Sequence, residues 1–92
     1  MPFRAITVTD RVTRIVSYDA RRRALTIAND AGSKIYLSHN RVNILEEGFP
    51  LDVGEKISFS KERGDDTELE LNAQAHAGLS ADVRIYESFV TE

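Results

Sequence analysis

Three consecutive arginines, Arg21, Arg22 and Arg23, open the stretch RRRALTIANDAGSKIYLSH. Tyr18 stands just before them, and Lys34, Tyr36, Ser38 and His39 follow after a turn. Guanidinium planes pair with phosphate bidentately and stack on bases. Tyrosine rings add stacking surface, worth ~1–3 kcal/mol per base. The hydroxyl of Ser38 and the imidazole of His39 are suited to hydrogen-bonding a base edge or the nucleic-acid backbone. These residue types suit a contact with nucleic acid that is electrostatic, weakly sequence-selective and steeply salt-dependent. Ile35 and Leu37 occupy the inner face of their run, which turns Tyr36 and Ser38 outward. The outward face of the preceding run carries Ala24, Thr26 and Ala28 and holds no ring.

Other chemistry finds little support. With no cysteine there is no thiol nucleophile, thiolate metal site or disulfide framework. No Gly-rich phosphate loop or Ser-His-Asp spacing is present, so the chain reads as a non-enzyme without a cofactor. His39 and His76, the only histidines, are far apart in sequence and make a poor metal pair. Asp65, Asp66, Glu68 and Glu70 form an acidic edge, read here as a polar hairpin tip. No run approaches the ~20 apolar residues of a membrane helix, and the N-terminus lacks signal-peptide features. The expected setting is cytoplasmic.

The net charge of −3 hides an asymmetry. Residues 1–44 hold eight basic and three acidic residues, whereas residues 45–92 hold four basic and twelve acidic. Such a split can focus a positive field on one face of an acidic protein.

The residues that would bind must be carried by strands. Period-two alternation runs through Val12–Tyr18, Ala24–Ala28, Lys34–Ser38, Lys56–Ser60 and Glu68–Ala75. Turn residues punctuate them at Asp19, Asn29–Gly32 and Gly64. The segment from Glu46 to Lys56, with Gly48, Pro50 and Gly54, reads as a long connection, and His39–Glu47 as a short helical turn beside it. The pattern predicts an all-β single domain: a five-stranded antiparallel OB-like barrel over residues 12–77, with terminal extensions at 1–11 and 78–92. Phe3–Thr9 and Val83–Val90 are expected to pair or to pack on the barrel. An exposed terminal strand is also a template for a second chain, which predicts a homodimer through the terminal strands.

The order of segments resembles the cold-shock domain family. YDARRRALTIANDAG, Tyr18 to Gly32, is similar to that family's FN-x-x-KGFGFI-x-x-DDG, and SKIYLSH to its SKDVFVHF. LDVGEKISFSKERGDDTELELNAQAH follows its third block. The likeness covers Val12 to Ala77. It implies single-stranded RNA or DNA lying across a basic, partly aromatic sheet face. Tyr18 and Tyr36 would stack, Arg21, Arg22, Arg23 and Lys34 would hold phosphates, and Thr26, Ser38 and His39 would complete the surface. Ser17 stands where the family has tryptophan, and Ala24 and Thr26 where it has phenylalanines. This depleted face gives the alternative expectation of a protein-interaction or dimerisation barrel that has lost nucleic-acid binding.

Overall fold

A computed structural model describes residues 3–89. The described residues are all-β apart from two short turns of helix. Its strands are β1 (Phe3–Val8), β2 (Thr13–Val16), β3 (Arg22–Gly32), β4 (Ile35–Ser38), β5 (Phe49–Leu51), β6 (Lys56–Ser60), β7 (Leu71–Ala75) and β8 (Ala81–Phe89). Helix α1 spans Ile44–Glu47, where a helical turn is expected, and a 3-10 turn covers Lys61–Arg63. Among the described residues no helix is long and apolar enough to cross a membrane.

The strands form two antiparallel four-stranded sheets, ordered β1-β8-β3-β6 and β2-β7-β4-β5. Alternation explains how they meet. Leu25, Ile27, Val83 and Ile85 from the first sheet and Ile35, Leu37, Leu51 and Ala73 from the second enter one buried cluster. At roughly 1.5–3 kcal/mol per fully buried aliphatic side chain, this cluster drives the sheets together.

The two sheets do not close into a barrel, and the turn residues Asn29–Gly32 do not close a hairpin between β3 and β4. β3 pairs with β6 and β8, while β4 pairs with β5 and β7. The turn between them is a crossing from one sheet to the other. Gly32 adopts φ +103°, and Ser33 donates its backbone N–H to Ser80 O at 3.0 Å. The buried Asn29 side chain donates to both Ser33 O and Leu51 O at 2.9 Å, pinning the crossing to β5.

The terminal segments are integral to the first sheet. β8 is an interior strand, paired with β1 on one side and β3 on the other, so β1 alone of the terminal strands remains an edge. Residues 1–2 and 90–92, including Val90 of the expected terminal run, lie outside the described residues. β5 forms within the segment read as a loop, its three residues paired with Ile35, Tyr36 and Leu37. Pro50 is tolerated because β5 is an edge, where its missing N–H disrupts no ladder.

The other sheet edge on that side, β6, is capped by its own neighbours. Arg63 Nη2 donates to Ser58 O at 2.6 Å and to Asp65 Oδ2 at 2.7 Å, while Ser60 N–H donates to Asp65 Oδ2 at 2.9 Å. The Ser60 amide first, then the Arg63 guanidinium, hold the Asp65 carboxyl below the usual Asp range. A depressed carboxyl adds stability above its unfolded pKa of about 4 and loses it as pH falls through the lower folded value. An NMR titration should therefore place Asp65 below that reference. Asp65→Asn should abolish this part of the acid dependence below about pH 4; an unshifted Asp65 would contradict the cap.

Candidate functional site

The structure separates the residues that the sequence groups together. Arg22 is withdrawn from the surface. Its side chain is 2% exposed, pairs with Glu87 Oε2 at 2.9 Å, and donates to the backbone carbonyls of Ser17, Thr67 and Leu69. Arg4 reaches the same carboxylate at 3.1 Å. Arg22 points inward because β3 alternation places it with Leu25 and Ile27 only after an irregularity between Arg22 and Ala24. The expectation that Arg22 holds a phosphate is therefore corrected: it is a buried structural cation.

Arg21 is exposed at the turn, where its N–H caps Asp19 Oδ1 at 2.9 Å. Arg23 is exposed and loosely paired with Glu62 at 3.6 Å. Tyr18 is exposed over a groove, with its hydroxyl 3.4 Å from Glu68 Oε1. Tyr36 lies half-buried on the outer face of the second sheet, packed edge-on against His76 at 5.3 Å. Ser38 shares that strand and accepts the Asn40 N–H at 3.0 Å. His39 is exposed at the mouth of the groove, and Lys34 is exposed at the crossing. Thr26 lies elsewhere, on the outer face of the first sheet, 3.1 Å from the Ser58 hydroxyl.

Folding also offsets part of the charge asymmetry. Arg4 and Arg22 pair with Glu87, Arg14 with Glu70, and Arg23 with Glu62, each a basic residue of the first half meeting an acidic one of the second. Arg11, Arg21, Lys34 and Arg41 stay exposed and form none of the described ion pairs.

A different surface gathers rings and cations. Strand register sets Phe3, Tyr86, Thr26 and Ser58 in one outward row across all four strands of the first sheet. Phe3 and Tyr86 stack at 4.8 Å with their planes tilted by 42°. The next row, two residues or about 7 Å along the strands, is Ala5, Arg84, Ala28 and Lys56. On the other side of Tyr86, a hollow of about 420 Å³ is lined by Arg23, Lys61 and Ser88 among others. Tyr86 thus stands between two pairs of cations, of which Arg23 meets Glu62 in the same hollow and Lys61 meets Glu68 at 3.4 Å, both exposed pairs. The small residues Ala24, Thr26, Ala28, Ser58 and Ser60 keep the rest of the face flat and accessible. Arg84 contacts Asp30 at 3.7 Å with both side chains more than half exposed, a pairing weak enough for a phosphate to replace.

No family model, curated protein or solved structure matches this chain.

The sequence reading missed Phe3, Lys56, Lys61, Arg84 and Tyr86. One signal was available: in RIYES the alternation turns Ile85 inward and Tyr86 outward. Nothing local shows that β8 lies between β1 and β3, which is what brings Tyr86 beside Phe3 and Thr26.

Proposed function

We propose that this protein binds single-stranded RNA or DNA on the outer face of its first sheet, without making or breaking a bond. The observation that carries this reading is Tyr86, stacked on Phe3 and flanked by Arg84 and Lys56 on one side and Arg23 and Lys61 on the other. Bases would stack on the two rings while the cations follow the phosphates. The Thr26–Ser58 hydroxyl pair offers a donor and acceptor to a base edge or sugar. Of the residues named from sequence, Arg23 and Thr26 belong to this surface; Tyr18, Ser38 and His39 line the groove between the sheets, and Tyr36 lies on the outer face of the second sheet. The resemblance of residues 12–77 to the cold-shock domain family forms part of the same proposal and is supported by the order of its sequence segments. A cytoplasmic setting goes with it, supported by the cysteine-free sequence.

The test is a titration of fluorescein-labelled oligothymidylate and a mixed-sequence RNA, each of about ten nucleotides, at low salt. Tyr86→Ala should weaken binding about tenfold or more, the equivalent of one lost stacking contact. Tyr18→Ala and Tyr36→Ala should leave it unchanged. No saturable binding at ~10 µM protein, or equal sensitivity to Tyr18 and Tyr86, would overturn the proposal. A tight dimer through β1 that covers Phe3 would favour the interaction-barrel reading instead.

A further inference from the structure

On the side bounded by the β5 and β6 edges, the sandwich is open. A groove of about 640 Å³ runs between the sheets. Its walls include Phe49 from one sheet and Phe59 from the other, with Tyr18 and Leu69 across its end. Phe49 is 54% exposed and Tyr18 65% exposed, whereas Phe59 and Leu69 pack against the buried core. Apolar surface of this kind marks a binding site more often than a solvated loop.

The rim is acidic. Asp66 and Glu70 line the groove, and Glu68 meets the Tyr18 hydroxyl. Glu70 accepts from Asn72 Nδ2 at 3.1 Å and meets its one described cation, Arg14, at 3.8 Å, while Asp66 accepts the Glu68 N–H and pairs with no described cation. Glu68 is already paired with Lys61 at 3.4 Å, which leaves Asp66 and Glu70 as the rim carboxylates open to a partner's cations. The flanking strand edges resist an added strand: Pro50 lacks an N–H, and the Ser58 and Ser60 backbone groups of β6 are taken by Arg63 and Asp65. Recognition must therefore run through side chains that fill the groove and cations that meet its rim.

We infer that this groove docks a short segment of a partner protein in which aromatic or branched apolar side chains are flanked by lysine or arginine. The apolar side chains pack on Phe49, Phe59 and Leu69, and the flanking cations pair with Asp66 and Glu70. The site stands independently of the proposed nucleic-acid surface, and each can fail without the other.

The experiment uses the full chain and three short, capped, fluorescein-labelled peptides. One carries a Phe-Leu pair between Lys-Lys pairs; the second has Glu for every Lys; the third keeps the lysines with Gly-Ser for Phe-Leu. The first should bind saturably, with Kd of about 10–100 µM, and at least tenfold more tightly than either control. Phe49→Ser and the double variant Asp66→Asn/Glu70→Gln should each weaken it about tenfold, the second also flattening its salt dependence. Phe49 is half exposed, so its replacement should leave the fold intact, which the amide NMR spectrum verifies; that spectrum should shift at Tyr18, Phe49 and Leu69 on binding. Tyr86→Ala should have no effect. Equal binding of all three peptides, no binding of the first, or a second copy of this chain filling the groove at working concentration would overturn the inference.

Discussion

Replacing Glu87 with glutamine is expected to destabilise the protein by about 3–5 kcal/mol, the usual cost of removing one partner from a buried ion pair. Glu87 lies between two guanidiniums, Arg22 at 2.9 Å and Arg4 at 3.1 Å, with its own side chain 9% exposed. Without the carboxylate, Arg22 keeps a full charge in a site that water does not reach. The loss is a large share of a small domain's total of roughly 5–15 kcal/mol. At about 4–8 °C per kcal/mol for a chain near this size, the melting temperature should fall by on the order of 20 °C. Urea unfolding at neutral pH measures it directly. Arg23→Gln, which removes an exposed pair, should cost about 0–1 kcal/mol in the same assay. The apolar double variant Arg22→Met/Glu87→Leu should recover little. Arg22 also supplies the donors for Ser17 O, Thr67 O and Leu69 O, and an apolar pair leaves those carbonyls unsatisfied. A Glu87→Gln loss below about 1 kcal/mol would mean that water reaches and screens the triad.

Gly32→Ala should be the other severe change. At φ +103° a side chain is strained, at about 1–3 kcal/mol. The added Cβ would also press into the backbone at Ser80 O and lie 2.7 Å from Ala81 Cα. Neither atom belongs to a flexible side chain, so β8 itself must move, adding about 1–3 kcal/mol more. Gly54→Ala isolates the two effects. Gly54 has φ +86° but nothing within 4 Å of its would-be Cβ, so only the conformational cost applies. Chemical denaturation should rank Gly32→Ala well above Gly54→Ala; equal losses would show that the contact with β8 is absent in solution.

Both changes act where the sequence pattern is ambiguous. Asn29–Gly32 carries the residues of a tight turn, and a turn between two alternating runs reads as a hairpin. The positive φ is there, but Gly32 is opposite Ala81, and the chain leaves one sheet for the other. Short-range rules see the bend and not its destination. The arginine run has the same difficulty. Charge and position alone suggest three equivalent surface cations, yet an irregularity at the start of β3 sends Arg22 inward between Arg21 and Arg23. The signal for burial was a carboxylate sixty-five residues away, at Glu87.

Strand character was written in the sequence wherever inward and outward residues alternate. Leu25, Ile27, Ile35, Leu37, Ile57 and Phe59 all turn inward as their spacing requires, because a strand's side chains alternate whatever it pairs with. The all-β class and the short helical turn follow from the same local chemistry. Partners are a different matter. Which strand lies beside which depends on free-energy differences among long-range pairings whose local patterns are nearly interchangeable. Tertiary structure alone therefore decided that β8 lies inside the first sheet, that β5 and β6 leave a groove between them, and that four cations of the first half meet carboxylates of the second. The surface gathered around Tyr86 is a product of those pairings: its rings and cations come from β1, β3, β6, β8 and the Lys61 turn, and become neighbours only when the sheet is assembled.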